Sequence, residues 1–286
     1  MTGDDAVLLR EPAPWGVRLI LNRPDKLNAI SAELRDALVD AIAEATADER
    51  VRVIAIAGAG RAFCSGYDLS EAAPPTVWDW RDVLARDVAA TLAVWSCPKP
   101  VIAQVHGYAL AGGLELAMAC DLIVAADDAR LGEPEIRFGS APVTLLMPFV
   151  IGQKRTREVL LTGDLIDAVT AERYGLVNRV VPAQRLGAEV DVLADRLARV
   201  PPDVMAPTKL MLNRAMDAAG FAAAVEMGLD LQSFVNMSGT AREFDVIVRR
   251  DGLKAALAWR DSRYDERLAE TGGAARDPDP EASTGR

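Results

Sequence analysis

Apolar and polar positions along this chain fall into short blocks whose period keeps changing. Val17-Arg18-Leu19-Ile20-Leu21 alternates weakly and predicts a strand ending at Asn22-Arg23-Pro24-Asp25-Lys26. Ser31 then stands as N-cap of a helix predicted to run to about Ala47, with Leu34, Leu38 and Ile42 on one face. Val51 to Gly58 reads as a buried strand, Arg61 to Leu69 as a glycine-containing turn, and Glu71 to Pro75 as a flexible loop. A helix from about Val77 to Trp95 carries Trp78, Trp80, Leu84, Val88, Leu92 and Trp95, read as core or pocket wall. Val101-Ile102-Ala103, bounded by Pro98 and Pro100, is a further buried strand.

Past the glycines at 107, 112 and 113 the blocks continue. Asp121 to Ala126 predicts a strand, and Ala129 to Gly132 a short one leading into Glu133-Pro134-Glu135. An apolar helix is expected from about Val143 to Ile151, helices over Thr156–Thr162 and Thr170–Tyr174, and a strand over Val177–Val181. From Pro182 to about Glu270 nearly everything has helical periodicity and strands stop. This pattern predicts an α/β core over residues 1–200, opened by a polar lead-in, and a helical region over 201–270. Residues 271–286, rich in Gly, Asp, Pro and Ser, are expected to form a disordered tail.

The densest chemistry sits at Gln104 to Asp121. A strand passes through Gly107, Gly112 and Gly113 into Leu-Glu-Leu-Ala-Met-Ala, a run of good helix formers. Free N–H groups and the positive end of the helix dipole collect at such a junction. It can hold a negative charge, or stabilise one developing on a carbonyl oxygen. Glu115 lies in that first helical turn, where a carboxylate also complements the dipole with no catalytic role.

Composition narrows the alternatives. The 286 residues are 50% hydrophobic, ample for a core, yet no apolar run reaches membrane-span length and the N-terminus lacks a basic and apolar leader. A net charge of −10 argues against a nucleic-acid partner. Three cysteines, Cys64, Cys97 and Cys120, form no Cys-x-x-Cys and read as free thiols of a reducing cytoplasm. The single histidine, His106, rules out multi-histidine metal motifs and reads as a packed loop residue. Ser65, within Phe63-Cys64-Ser65-Gly66-Tyr67, is not a Gly-x-Ser-x-Gly nucleophile. Gly58-Ala59-Gly60 begins like a dinucleotide fingerprint, but Phe63 replaces its third glycine.

Four motifs in order resemble the crotonase (enoyl-CoA hydratase/isomerase) superfamily over nearly the whole chain before the tail. Leu21 to Ala29 is similar to the coenzyme A-binding turn of that family, Ala62 to Leu69 to its first oxyanion segment, and Gly107 to Ala117 to its second. Leu161 to Asp164, Ala168 and Gly175-Leu176-Val177 match the segment joining core to helical region. The resemblance implies an α/β spiral of ββα units with a C-terminal helical region, assembled as a homotrimer or dimer of trimers. It implies backbone N–H donors at Ser65 and Gly112, catalytic carboxylates at Glu115 and Glu135, and coenzyme A or substrate contacts at Arg23, Lys26, Leu27, Ala62, Gly66, Tyr67, Asp68 and Leu69. It implies a coenzyme A thioester as substrate, with no permanently bound cofactor, no metal, no nucleic acid and no membrane. Glu133 is read as an ordinary loop carboxylate.

Elementary chemistry agrees with that implication. Addition at the β-carbon of an enoyl thioester puts charge on the thioester oxygen, where two N–H donors contribute roughly 2.7–4 kcal/mol each. Two carboxyl groups holding one water take one proton and deliver another. The expected reaction is therefore hydration of a 2-enoyl-CoA, with double-bond isomerisation, thioester hydrolysis or carbon–carbon cleavage as alternatives, and a non-catalytic relative as a further one. One segment departs from the family pattern: Ser140-Ala141-Pro142-Val143-Thr144-Leu145-Leu146-Met147-Pro148-Phe149 replaces a glycine-rich helix start and implies a reshaped acyl pocket.

Overall fold

The computed structural model describes residues 6–71 and 73–270, so the expected tail at 271–286 and the lead-in before Ala6 lie outside the described residues. The chain opens with an antiparallel hairpin of β1 (Leu8–Ala13) and β2 (Gly16–Leu21), paired from Leu8↔Leu21 to Ala13↔Gly16. Sequence reading missed β1. Its Arg10-Glu11-Pro12 stretch breaks apolar alternation, which an edge strand tolerates because one side needs no partner.

From β2 onward the main sheet grows by parallel crossovers. Helix α1 (Ala32–Ala47) leads to β3 (Val53–Gly58), and α2 (Val77–Ser96) leads to β4 (Val101–Val105). The short β5 (Tyr108–Leu110) and α3 (Gly112–Ala119) lead to β6 (Leu122–Ala126). The sheet order is β1-β2-β3-β4-β6-β9, closing with β9 (Arg179–Val181). A smaller sheet, β5-β7-β8, uses β7 (Arg130–Gly132) and β8 (Ile166–Asp167). The starts of α1 and α2 follow from local chemistry: Ser31 accepts from Leu34 N–H at 3.3 Å and Thr76 from Asp79 N–H at 3.1 Å.

Strand β3 reads Val-Ile-Ala-Ile-Ala because both faces of a parallel sheet are covered. Leu34, Leu38, Val88, Leu114 and Leu116 pack on one face. On the other, Trp15, Val53, Ala55, Ile102 and Val124 meet Leu186, Val190 and Leu193 of helix α7 (Leu186–Ala198). Helices α4 (Met147–Val150), α5 (Gly152–Thr162) and α6 (Ala168–Tyr174) lie between β7 and β9 in the chain. Beyond α7 come α8 (Pro202–Ala218), α9 (Phe221–Val235), α10 (Gly239–Asp251) and α11 (Leu253–Glu270).

Two expectations need correction. Trp78 is 76% exposed, so only Trp80 and Trp95 of the α2 tryptophans face inward, Trp95 against Phe221 at 5.3 Å between ring centroids. The helix expected over Val143–Ile151 shrinks to α4. Pro142 and Pro148 lack N–H donors, Leu145 sits at φ +46°, and the Val143 and Thr144 N–H groups point at a side chain of α3. Val143, Leu146 and Met147 are buried, Leu145 and Phe149 half-buried and Val150 exposed.

Candidate active site

The site grows from the turn between β4 and α3. Ala111, the residue before α3, holds φ +51° and ψ −131°, a conformation that costs an L-residue about 1–3 kcal/mol. It is held there by its N–H donating to Gly132 O at 2.9 Å, which ties β5 to β7. Its own carbonyl takes the N–H groups of Leu114 and Glu115. Among the described residues the N–H groups of Gly112 and Gly113 find no acceptor, so the first turn of α3 presents two unspent donors.

Both positions require glycine. A Cβ on Gly112 would meet the Tyr67 ring at 2.4 Å, and one on Gly113 would meet Cys64 O at 2.5 Å. The close approach arises because the 62–66 turn is zipped to β5, Cys64 N–H donating to Tyr108 O and Leu110 N–H to Cys64 O, each at 3.0 Å. The two expected oxyanion segments therefore lie side by side.

The turn holding the coenzyme A candidates is braced from inside. Asn28, fully buried, donates from Nδ2 to Ala59 O, Ala62 O and Phe63 O at 2.9, 2.8 and 3.2 Å and accepts from Arg23 N–H at 2.9 Å. The Arg23 guanidinium donates to Ala29 O and pairs with Asp68 at 2.7 Å. The charged groups of Arg23 and Asp68 are thus paired with each other. Asp68 is held below the usual carboxylate range against its partial burial by hydrogen bonds from Ser70 and Arg23. Lys26 is exposed and forms no ion pair among the described residues, so of the two cations in this turn it is the one free to meet phosphate. Leu27 and Leu69 are half-buried, Gly66 is buried, and Ala62 is fully buried with its carbonyl accepting from Asn28.

Ser65 differs from Gly112. Its N–H donates to Leu27 O at 3.0 Å, so it is not an unspent donor as Gly112 is. The reason is non-local: the braced 23–29 turn delivers the Leu27 carbonyl to it.

Tyr67 lies with its ring over Gly112 and its hydroxyl hydrogen-bonded to Thr91; burial, then the charges of Asp87 and Glu115, push it well above the ordinary tyrosine value. Asp87 is itself pushed up to about 6 by burial, against its pairing with Arg35 at 3.1 Å. His106 shares a 3.0 Å hydrogen bond with Gly60 O.

The carboxylates decide what the site can do. Glu115 is 2% exposed and its Oε1 receives three hydrogen bonds, from Val143 N–H at 2.9 Å, Thr144 N–H at 2.7 Å and Thr144 Oγ1 at 2.7 Å. Burial raises its pKa, and these three donors oppose the rise by favouring the charged form. Glu135 is 5% exposed, with Oε2 buried and unpartnered; burial pushes it up to about 7. Glu133 is 1% exposed with both oxygens unpartnered, and burial followed by the charges of Glu135 and Glu115 raises it well above the ordinary value. Glu133, read from sequence as an ordinary loop carboxylate, is buried instead, and Thr144 was not singled out. The alternation Glu133-Pro134-Glu135 directly after a buried strand was a usable sign for the first; nothing local marked the second.

Such an arrangement supplies a charge-stabilising helix end, a carboxylate held ready to accept a proton, and carboxyl groups held ready to give one. Among the described residues no group of three or more His, Cys, Asp or Glu side chains is disposed to hold a metal ion.

Comparison with known proteins converges on one group. The sequence profile described as enoyl-CoA hydratase/isomerase matches residues 16–242. A probable enoyl-CoA hydratase of Mycobacterium bovis is 37% identical over 219 residues, 75% of this chain and 84% of that protein. A mevalonyl-coenzyme A hydratase of Aspergillus fumigatus is 33% identical over 267 residues, 90% of this chain and 95% of that one. The crystal structure of an enoyl-CoA hydratase/isomerase from Xanthobacter autotrophicus Py2 superposes with a TM-score of 0.87 at 40% identity, covering 90% of this chain and 98% of the other.

Proposed function

The chain belongs to the enoyl-CoA hydratase/isomerase family, and from that premise we propose that it adds water across the double bond of a 2-enoyl-CoA, with Glu115 as base and Glu135 as acid. The observation that carries the proposal is the asymmetry of the buried carboxylates. Three donors converge on one oxygen of Glu115, whereas Glu135 keeps an unpartnered buried oxygen. Hydrogen bonds to a carboxylate favour its charged form and burial favours the neutral one, so the two groups are pushed toward opposite roles.

In the proposed reaction Glu115 takes a proton from water as the water oxygen bonds to the β-carbon. The double-bond electrons move toward the thioester, whose oxygen gains charge facing the Gly112 N–H. Ser65 N–H joins as second donor by exchanging Leu27 O for the thioester oxygen. The carboxyl of Glu135 then delivers its proton to the α-carbon, giving the 3-hydroxyacyl-CoA. Lys26 is assigned to the coenzyme A phosphates, Leu27, Ala62, Gly66 and Leu69 to backbone or packing contacts with the ligand, and Tyr67 to the acyl wall.

We also propose a homotrimer or dimer of trimers, acting in the cytoplasm without a permanently bound cofactor. Leu210, Met211 and Leu212 on α8 and Met227, Leu231 and Phe234 on α9 are each more than half exposed, an apolar surface suited to subunit contact. All three cysteines are free, which suits a reducing compartment, and no described helix is long and apolar enough to cross a membrane.

Replacing Glu115 or Glu135 by Gln tests the reaction. Each is expected to lower hydration by on the order of 10²–10⁴ while acyl-CoA affinity holds. The double variant should be far less than multiplicatively worse, because the two act as one unit. Isomerisation in place of hydration, with one replacement severe and the other mild, would refute the assignment.

A further inference from the structure

We infer that Glu133 shares a proton with Glu135, so that the two form one acid unit that still holds a proton when a lone Glu135 would have lost it. The inference rests on the hydratase reading for its consequence in catalysis, but its structural basis is separate. Glu133 directly follows β7 and Glu135 comes two residues later in the tight turn Pro134–Phe138. Both side chains are more than nine-tenths buried. Three of their four carboxyl oxygens, Oε1 and Oε2 of Glu133 and Oε2 of Glu135, have no hydrogen-bond partner.

An unpaired carboxylate in a protein interior is too costly to persist, and two in contact are costlier still. Carboxylates are acceptors only, so with both charged the pair has no hydrogen bond between them. One added proton converts a repulsive contact into an O–H···O⁻ bond and removes a buried charge. Among the described residues neither Glu133 nor Glu135 forms an ion pair. Arg137, in the same turn, is committed to Asp164, to Thr162 O and to the Tyr264 ring. Glu115 on α3 is the further acidic group that acts on the pair, and its charge favours retention of the proton; Asp87 on α2 acts on Glu115.

A pair of this kind titrates in two steps. The first proton leaves near the value set by burial of Glu135, about 7. The second leaves well above it, because its departure would place two charges side by side. Glu135 can therefore return to its protonated form by drawing on Glu133 across a pH range where an isolated glutamate would be spent. Glu133 acts through Glu135 and is a positioning residue for its proton.

The test combines Glu133→Gln with two readouts. Gln is isosteric with a permanently neutral Glu133, so Glu135 keeps its first titration step and loses the second. Hydration by wild type should hold its rate well above pH 7. In E133Q the basic limb should move down to about pH 7, giving about a hundred-fold loss two pH units above that midpoint. KM should change little and activity near pH 6 should persist. An infrared titration reads the same proton without turnover: a protonated-carboxyl band should survive above pH 8 in wild type and vanish there in E133Q. An unmoved basic limb with an unchanged band would overturn the proposal. Should E133Q fail to fold, wild type alone decides, since absence of that band above pH 7 in wild type is equally fatal. An enzyme that hydrates nothing but keeps the band would refute the hydratase reading and leave the shared proton standing.

Discussion

Replacing Thr144 by Val isolates one hydrogen bond and converts it into a shift in pH dependence. Thr144 is fully buried, and Val has nearly its shape, so the change removes the hydroxyl with little change in volume. The substitution removes the Oγ1 donor to Glu115 Oε1 at 2.7 Å and leaves the Val143 and Thr144 N–H donors at 2.9 and 2.7 Å. A hydrogen bond to a charged group is worth about 1.5–3 kcal/mol. Each 1.36 kcal/mol of preference for the charged form is one pH unit, so the Glu115 pKa should rise by about 1–2. If Glu115 is the base, the acidic limb of kcat/KM for hydration moves up by the same amount, while the plateau at higher pH falls little. The assay follows loss of the conjugated enoyl absorbance across pH, with Thr144→Ser included because it restores the donor. An acidic limb that stays in place in T144V, or one that T144S fails to restore, would refute the role given to this hydrogen bond.

Three further outcomes follow from the same geometry. Glu135 is raised from 4.5 in an unfolded chain to about 7 when folded, which is worth about 3 kcal/mol. Because its folded value is the higher, that stability is fully present below pH 4.5 and lost as pH rises through 7; urea unfolding should show wild type declining over this window and E135Q declining less. Asn28→Ala strands the carbonyls of Ala59, Ala62 and Phe63 in the interior and should cost about 3 kcal/mol, read as a lower urea midpoint at unchanged slope. Light scattering at micromolar concentration should give a trimer or hexamer mass, and a monomer there would contradict assembly through the apolar faces of α8 and α9.

Periodicity in the sequence was enough to locate β2, β3, β6, α1 and α2, because each repeats an apolar contact at a spacing that only one backbone conformation can bury. The start of α3 was equally legible, although not the strand β5 between it and β4: glycines that admit close backbone approach, then helix formers, leave N–H groups free wherever the chain goes next. Glu115 could be singled out because it falls within that first turn. Other features depended on partners far along the chain. Ser65 N–H is spent because Leu27 O arrives beside it, and Arg23 is spent because Asp68 does. Thr144 meets Glu115 across twenty-nine residues, and in doing so turns an expected helix into a loop. Glu133 looked like a loop carboxylate until the fold closed over it. Local pattern determines which side chains seek the interior, since the hydrophobic effect is non-directional and set by the residue's own surface. Which polar group each buried donor or acceptor finds there, and therefore which carboxylate keeps its proton, is decided only when tertiary structure brings distant segments into hydrogen-bonding distance.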